Sequence, residues 1–282
     1  MDKKYNLKPN KTLGQNFLSD KRVLRDIVSS AEVSENDTVI EIGPGLGGLT
    51  EELVKSAKKV IAIEKDKDLV GFLKKKFSGL KNLDIIEGDI RERISIFELK
   101  NLNYQNLDET ILILKDEKYK LVANIPYYLS SFILRRFLEI ENKPQRIVLL
   151  LQKELTERIC AGPGKMSLVS VMVNFYGSPK MGSIVKREKF DPAPKVDSRI
   201  LIVEKIKTPK NINEKIFFRI LRIGFSQKRK KLINNLHNGL RIDKNILLKA
   251  IKELKLKETV RAQELSLPDW KDLYQKICEI TR

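Results

Sequence analysis

The sequence predicts an α/β protein with a parallel sheet covered by helices on both faces, followed by a small all-helical domain. Three observations predict this fold. Short, nearly continuous apolar segments alternate with amphipathic helical segments over the first two thirds of the 282 residues, which is typical of a buried parallel sheet. A glycine-rich turn follows the first apolar segment. Beyond Pro209 the apolar residues recur only at helical spacing.

Five strands of this sheet can be assigned in order. The predicted strands are Val39–Ile42, Lys59–Ile63, Leu83–Ile86, Leu121–Ala123 and Ile147–Leu151. Helices are predicted after the first two strands, over 50–57 and 67–77, and Val196–Ile206 is a later strand with less regular alternation. Right-handed crossovers then give a doubly wound sheet, in which ligands bind at the carboxyl ends of the strands.

The C-terminal part of the chain is predicted to be a separate helical domain. Apolar residues have helical spacing over 213–225, 228–240, 244–254 and 268–280. Pro268 suits the first turn of the last helix, and Asp243 is a candidate cap for the helix that follows it. We therefore divide the chain into residues 1–207 and 208–282. Residues 98–118 are expected to form an exposed excursion between two strands.

Composition narrows the class of protein. Hydrophobic residues are 41% and charged residues 33% of the chain, and no apolar run approaches the ~20 residues needed to span a bilayer. The N-terminus lacks the apolar core of a signal peptide, so a cytoplasmic protein without membrane contact is expected. Cys160 and Cys278 are too few and too far apart in sequence for a disulfide framework. His237 is the single histidine, so no histidine-based metal site or catalytic triad is expected.

The net charge of +18 is concentrated near the C-terminus. Residues 181–282 carry 25 Lys and Arg against 12 Asp and Glu, whereas residues 1–180 carry 30 against 25. A basic surplus in one part of a chain indicates an anionic partner, and nucleic acid is the first candidate. A general richness in lysine that only solubilises the surface is the alternative.

A glycine-rich loop directly follows the first predicted strand. Gly43, Gly45 and Gly48 match the dinucleotide fingerprint, which alone is weak evidence for a nucleotide site. Glycines allow the backbone to approach a ligand closely, and the next helix presents free N–H groups. Glu41 lies just before the loop, where a carboxylate favours a cationic ligand over a pyrophosphate.

Two further acids follow the next two strands. Glu64, 21 residues after Gly43, suits hydrogen bonding to two ribose hydroxyls, and Asp89 suits acceptance of a hydrogen bond from an adenine amino group. S-adenosylmethionine carries a positive sulfonium and no phosphate, so an acid-lined pocket fits it better than it fits NAD. For each acid alone, a solvated carboxylate at a strand end is the alternative.

The segment Asn124-Ile125-Pro126-Tyr127 ends the fourth predicted strand. Pro126 fixes its own φ and keeps Ile125 out of helical geometry, so a rigid extended turn holds the Asn124 amide and nearby main-chain carbonyls. This hydrogen-bonding rim can receive an exocyclic amino group while Tyr127 or Tyr128 stacks on the base, as in enzymes that act on flipped-out bases. A strand end with a turn proline and core tyrosines is the alternative.

Together these segments resemble the ribosomal RNA adenine N6,N6-dimethyltransferases of the small subunit. Relatives of that family are the macrolide-resistance methylases of the large subunit and mitochondrial transcription factor B. The resemblance covers nearly the whole chain and rests on Thr12–Leu18, Glu41–Gly47, Glu64, Gly88–Asp89, Asn124–Tyr127, Gln152–Glu154, Phe190–Ser198 and Phe225–Leu232. It implies a Rossmann-like, class I S-adenosylmethionine methyltransferase sheet with a helical RNA-binding domain.

The resemblance also implies which residues bind the cofactor. These are Asn16 and Leu18 of an N-terminal arm over residues 1–22, Gly43, Gly45 and Gly47 around the methionine part, Glu64 at the ribose, Asp89 at the adenine, and Asn124 between cofactor and target amine. For the arm, the residues by themselves favour the capped start of a helix near Ser19.

The same resemblance implies a base pocket and an RNA surface. Tyr127 and Phe190 would sandwich the flipped adenine beside Asn124, Ile125 and Pro126. The basic residues that would engage ribosomal RNA phosphates are Arg219, Arg222, Lys228, Arg229, Lys230 and Lys231. A packed loop aromatic is an equal alternative for Phe190, as is a solvated helix face for each basic residue.

The implied activity is methyl transfer from S-adenosylmethionine to N6 of two adjacent adenosines in the 3′-terminal hairpin loop of small-subunit (16S) ribosomal RNA. The partner would be a pre-30S particle, the protein a monomer, and no metal would be needed. A large-subunit (23S) RNA methylase has nearly the same pocket and is one alternative. A non-catalytic nucleic-acid-binding relative is another. A nicotinamide oxidoreductase is the weakest, because no proton relay accompanies the glycine loop.

Overall fold

The computed structural model describes residues 9, 14–91 and 118–281. Thr12 and Leu13 of the N-terminal motif, and residues 98–117 of the expected excursion, lie outside the described residues. The chain divides into two compact units. The first unit is Met1–Thr156 with Gly177–Thr208, and the second unit is Glu157–Tyr176 with Pro209–Arg282.

A seven-stranded mixed sheet forms the centre of the first unit. The strands, in chain order, are β1 (Phe17–Leu18), β2 (Thr38–Ile42), β3 (Lys59–Glu64), β4 (Leu83–Glu87), β5 (Tyr119–Asn124), β6 (Arg146–Gln152), β7 (Ser178–Val185), β8 (Phe190–Asp191) and β9 (Ser198–Glu204). The order across the sheet is β4-β3-β2-β5-β6-β9-β7. The five neighbouring strands β4, β3, β2, β5 and β6 run parallel, and β9 runs antiparallel to both β6 and β7. Strands β1 and β8 form a separate antiparallel ladder.

Helices connect these strands at positions that local sequence favours. They are α1 (Lys21–Ser30), α2 (Gly48–Leu53), α3 (Lys67–Lys76), α4 (Ser130–Glu139) and α5 (Lys153–Ile159). Asp20 caps α1 by accepting hydrogen bonds from the N–H groups of Arg22 and Val23, and Asp66 caps α3 in the same way. None of the helices in the described ranges combines the length and the apolar character that crossing a bilayer requires.

The five predicted parallel strands are present, each slightly longer than predicted. Three details of the prediction are wrong. The later strand, β9, is antiparallel, so the sheet is mixed. The edge strand β7 was not predicted, because its exposed residues and a register shift between Met181 and Ile184 remove regular alternation. Helix α2 begins at Gly48 and ends at Leu53 rather than spanning 50–57.

A buried cluster of apolar side chains fixes the N-terminal ladder in the first unit. Leu18 of β1 and Phe190 of β8 belong to the same cluster as Ile27 of α1, Leu53 of α2 and Val148 of β6. Burial of a leucine or phenylalanine side chain contributes about 1.5–3 kcal/mol to the free energy of folding. The core therefore determines where β1 and β8 lie.

The second unit is helical, as predicted. Its helices are α6 (Leu168–Tyr176), α7 (Glu214–Gly224), α8 (Leu232–Leu240), α9 (Lys244–Glu253) and α10 (Leu267–Ile280). Asp243 caps α9 by accepting from Asn245, and Pro268 lies in the first turn of α10, both as predicted. Helix α8 begins at Leu232, so residues 228–231 are a loop and not the predicted helical turn.

Residues 157–176 pack with the C-terminal helices, although the division at residue 207 assigned them to the first domain. The rings of Phe175 and Phe217 are stacked with centroids 4.6 Å apart. The hydroxyl of Tyr176 donates a hydrogen bond to Glu214 over 2.7 Å. These contacts join segments about 40 residues apart in sequence, and no local pattern indicates them.

Candidate active site

A cavity of about 310 Å³ lies at the carboxyl ends of the parallel strands of the first unit. The loop after β2, the end of β3, the residues after β4 and the end of β5 contribute to its wall, together with the N-terminal arm. The predicted site residues that line it are Asn16, Leu18, Gly43, Gly45, Glu64, Asp89, Asn124, Ile125, Pro126, Tyr127 and Phe190. The fold thus brings together residues that are as far as 174 positions apart in the sequence.

The glycine loop meets the N-terminal arm at Gly45. Gly43 and Gly45 have φ values of 67° and 58°, which L-amino acids with side chains rarely adopt. A Cβ atom on Gly45 would lie 3.1 Å from Cδ1 and Cε1 of Phe17. The absence of a side chain therefore allows the Phe17 ring to lie directly over the loop.

Gly47 has a different role from its neighbours. Its φ is 74°, and a Cβ atom there would lie 2.6 Å from Cε2 of Phe77 and 2.8 Å from Cδ2 of Leu73. Gly47 does not line the cavity. Close packing at the end of α3 requires a glycine here, and the cofactor role expected for Gly47 stays a prediction.

Glu64 ends β3 with its carboxylate against the glycine loop. Its side chain is buried, and it accepts hydrogen bonds from the N–H groups of Gly45 (3.1 Å), Lys65 (2.8 Å) and Asp66 (3.0 Å). Burial raises the pKa of Glu64 although these hydrogen bonds favour its charged form. Three N–H donors leave about one of the four acceptor positions of the carboxylate open to a hydroxyl.

Asp89 lies in the cavity wall, but two cations share its carboxylate. Arg91 Nε is 3.1 Å and 3.0 Å from the two oxygens, and Lys65 Nζ is 3.0 Å from one of them. The hydrogen bonds from Arg91 hold the pKa of Asp89 well below its usual range. Asp89 is 8% exposed, whereas both cations are about half exposed. A donor entering the cavity would meet a charged carboxylate whose cations can turn towards solvent.

Glu41 does not take the position expected for it. It is 1% exposed, it is not part of the cavity wall, and its Oε2 has no hydrogen-bond partner among the described residues. Burial raises the pKa of Glu41 to about 8, and the nearby Glu64 charge acts in the same direction. Burial therefore favours the neutral form of Glu41, and the residue does not line the cavity in which it was expected to attract a cationic ligand.

The segment after β5 presents an amide and an aromatic ring to the cavity. Asn124 is partly exposed there, and its side-chain amide makes no hydrogen bond to another described residue. Pro126 has an extended conformation (φ −55°, ψ 135°) and leads into a 3₁₀ turn over Tyr127–Leu129. The Tyr127 hydroxyl is 2.8 Å from Ser198 Oγ, and burial raises the pKa of Tyr127, which keeps it neutral.

Phe190 reaches the cavity through its pairing with the N-terminal arm. It pairs with Leu18 in the β1–β8 ladder, and the next residue towards the N-terminus, Lys189, forms an ion pair with Asp20 (2.6 Å). Phe190 is 6% exposed and belongs to the core while lining the cavity. The ring is packed in the core, as the alternative expected, and it also lines the cavity, so its stacking on an adenine stays a prediction.

Phe17 and Leu18 of the arm form strand β1, and the capped helix expected near Ser19 follows with Asp20 as its N-cap. Asn16 donates to the carbonyl of Gly14 (3.2 Å), and Gln15 donates to Oδ2 of Asp66 (3.0 Å). Helix α1 begins only after Asp20. Sequence reasoning did not select Gln15, Phe17 or Lys65 as site residues. The sequence feature that could have indicated Gln15 and Phe17 is their position on either side of Asn16.

The predicted RNA-binding residues lie on the surface of the second unit. Arg219 and Arg222 are exposed on α7, and Lys228–Lys231 form an exposed loop between α7 and α8. These six side chains form a basic segment suited to phosphate groups.

The model of the family described as ribosomal RNA adenine dimethylase matches residues 6–279. A ribosomal RNA small subunit methyltransferase A from Dehalococcoides mccartyi (strain CBDB1) is 41% identical over 271 residues, which are 95% of this chain and 88% of that protein. A protein of the same name from Clostridium botulinum (strain Langeland) is 36% identical and covers 98% of this chain and 97% of its own length.

Two solved structures resemble the fold over nearly the whole chain. A dimethyladenosine transferase from Plasmodium falciparum superimposes with a TM-score of 0.74 at 26% identity, covering 93% of this chain and 98% of its own. The 23S rRNA methyltransferase ErmE gives a TM-score of 0.70 at 22% identity, covering 93% and 100%. The second likeness shows the shared fold alone.

Proposed function

The chain belongs to the ribosomal RNA adenine dimethylase family, and from that premise we propose that it methylates N6 of two adjacent adenosines in the 3′-terminal hairpin loop of small-subunit (16S) ribosomal RNA. It is an S-adenosylmethionine-dependent adenine dimethyltransferase. The main observation that supports this proposal is a single cavity. Its wall contains the glycine loop, the acid at the end of β3, the acid after β4, and the side-chain amide of Asn124, which makes no hydrogen bond to another described residue. The relatives named small-subunit methyltransferases match over most of their length, which favours this RNA over 23S RNA.

The residues of the cavity fit S-adenosylmethionine, which supplies an electrophilic methyl group when bound. Glu64 and Asp89 provide carboxylates for a ligand without phosphate. Glu64 has about one acceptor position left for a hydroxyl, and Asp89 can accept from an amine when Lys65 or Arg91 turns towards solvent. Backbone groups at Gly43 and Gly45 would lie against the methionine part, and Asn16 and Leu18 would cover it from the arm. These assignments are our proposal for the cofactor site.

The proposed chemistry depends on Asn124. An adenine amino nitrogen is a poor nucleophile, because its lone pair is delocalised into the ring. Hydrogen bonds from that amino group to Oδ1 of Asn124 and to the main-chain carbonyl of Ile125 favour a tetrahedral nitrogen with a localised lone pair. Tyr127 and Phe190 hold the base so that the nitrogen is aligned for in-line attack on the methyl carbon. As the N–C bond would form, the bond from the methyl carbon to sulfur would break and leave a neutral thioether, and the nitrogen would release one proton to water.

The remaining parts of the proposal concern RNA docking. Arg219, Arg222 and the loop Lys228–Lys231 bind phosphate groups of a pre-30S particle, which makes affinity dependent on salt. Recognition of the loop adenosines depends on RNA shape and unstacked bases more than on duplex sequence. We propose a monomeric protein that acts in the cytoplasm, where ribosomal particles are assembled.

Labelled methyl transfer tests the proposal directly. Small and large ribosomal subunits that lack adenine dimethylation are incubated with the protein and labelled S-adenosylmethionine, and the digested RNA is analysed by mass spectrometry. Dimethyladenosine in the 3′-terminal hairpin of the small-subunit RNA is the expected result. Label in large-subunit RNA alone would assign the chain to the 23S methylases. Cofactor binding with no transfer to either subunit would indicate a binding factor.

A further inference from the structure

Tyr128 stands at the mouth of the cavity, and the proposed chemistry does not use it. It is 56% exposed, which is the highest value for a large hydrophobic side chain in the part of the chain that the structure describes. It is also the one aromatic residue in that exposed group, while it still lines the cavity. An exposed aromatic surface beside a ligand site is a candidate for stacking on that ligand.

The 3₁₀ turn after Pro126 determines which way this ring faces. A 3₁₀ helix has three residues per turn, so the side chains of Tyr127, Tyr128 and Leu129 point in three different directions. The hydroxyl of Tyr127 is bound to Ser198, and Leu129 is buried in the core. Tyr128 is therefore the member of the turn that faces outwards at the rim.

Gly14 of the N-terminal arm lies beside one edge of the Tyr128 ring. A Cβ atom on Gly14 would lie 3.6 Å from Cδ1 and from Cε1 of Tyr128, and 3.6 Å from Cβ of Pro126. Gly14 has a φ of 64°, so the arm turns at this point. With one edge beside the arm and more than half of the side chain exposed, the ring offers surface to a ligand at the mouth of the cavity.

We propose that Tyr128 stacks on the nucleotide next to the adenosine being methylated. This inference rests on the proposed function. A flipped adenine in the cavity leaves its neighbour one phosphodiester away, at the mouth, without its former stacking partner. Aromatic side chains replace such lost stacking in proteins that bind single-stranded RNA. For two adjacent adenosines, the nucleotide on Tyr128 is the second target while the first is being methylated.

The test compares substitutions of Tyr128 on two RNA substrates. Small-subunit particles are reassembled with a synthetic 3′ hairpin strand that carries either both adenosines or one adenosine beside an abasic site. Tyr128→Phe retains the aromatic face, and Tyr128→Leu retains an apolar side chain beside Gly14 but removes stacking. The matched control is Leu80→Ala, because Leu80 is 42% exposed and does not line the cavity. The measured quantities are kcat/KM for RNA and Kd for S-adenosylmethionine.

Stacking and packing roles give different results. We expect wild type to lose roughly 10- to 100-fold in kcat/KM on the abasic substrate, the range for one base–aromatic stack. Tyr128→Leu should lose as much on the intact substrate and little more on the abasic one. Tyr128→Phe and Leu80→Ala should remain within about threefold of wild type, and cofactor Kd should be unchanged.

Three outcomes would overturn the inference. Equal losses for Tyr128→Leu on both substrates, or weaker cofactor binding, would assign the ring to packing against the arm. Full activity of Tyr128→Leu would remove any role in the reaction. If wild type methylates neither particle, the proposed function fails and this inference fails with it. If wild type is active and the losses from Tyr128→Leu and from the abasic site simply add, the stacking role alone is refuted.

Discussion

Replacing Glu41 by glutamine is expected to weaken the dependence of the stability of the first unit on pH. Glu41 is 1% exposed, and burial raises its pKa from 4.5 to about 8. In the unfolded chain the carboxyl ionises near pH 4.5, whereas in the folded protein it stays protonated until about pH 8. The unfolded state therefore releases the proton first, and stability falls as pH rises through this range.

The size of the effect follows from the difference in pKa. Each unit corresponds to about 1.4 kcal/mol, so the ionisation lowers the free energy of unfolding by up to about 5 kcal/mol between pH 4.5 and pH 8. Glu41→Gln cannot ionise and keeps a side chain of nearly the same volume. The stability of the variant relative to wild type should therefore rise with pH, by up to about 1.4 kcal/mol per pH unit, and level off above pH 8.

Urea unfolding followed by circular dichroism at pH 5, 6, 7 and 8 measures this difference for each protein. A constant offset between variant and wild type does not matter, because the argument concerns only its change with pH. Glu35→Gln on the exposed surface is the control and should show a constant difference. A difference for Glu41→Gln that is the same at pH 5 and pH 8 would refute the reasoning.

Two further substitutions test the site, and one tests the packing of the glycine loop. Asn124→Ala should bind S-adenosylmethionine normally and lose about 100-fold or more in methyl transfer, because the amide that orients the amine is removed; wild-type turnover would contradict its role. Phe190→Ala should reduce kcat/KM for RNA more than cofactor affinity, and equal losses would place the ring outside the base pocket. Gly47→Ala should lower the free energy of unfolding by about 1–3 kcal/mol, because φ is 74° and the new Cβ meets Phe77. Gly79→Ala, with a φ of 91° and open space around it, should show only the backbone part of that effect in thermal unfolding.

The parallel strands could be predicted because each is buried on both faces. Strand β2 is buried along its whole length, and its Val39, Ile40 and Ile42 give it an apolar character that can be recognised without knowing its partners. Strand β7 lies at the sheet edge with half of its residues exposed, and such a segment has no apolar pattern to detect. The start of α8 was misplaced for a related reason. Its N-cap, Lys231, makes no side-chain capping hydrogen bond, so the loop before it has no sequence signal.

The Glu41 and Glu64 pair shows where sequence reasoning about the site ended. Both acids lie near the ends of adjacent parallel strands, and local patterns make them equivalent. The fold buries Glu41 behind the loop and places Glu64 on the cavity wall, where the Gly45 N–H binds it. The same is true of Gly45 and Gly47, of which only Gly45 faces the cavity.

The sequence by itself determined the strand and helix periodicity, the rigid turn at Pro126 and the chemical groups available at the strand ends. These properties depend on side-chain hydrophobicity and backbone sterics over a few neighbouring residues, so a short stretch of sequence is enough to predict them. Only the tertiary structure decided that Leu18 pairs with Phe190, and which acids reach the cavity. The physical reason is that pairing across more than 170 residues, burial and pKa depend on how distant segments pack together.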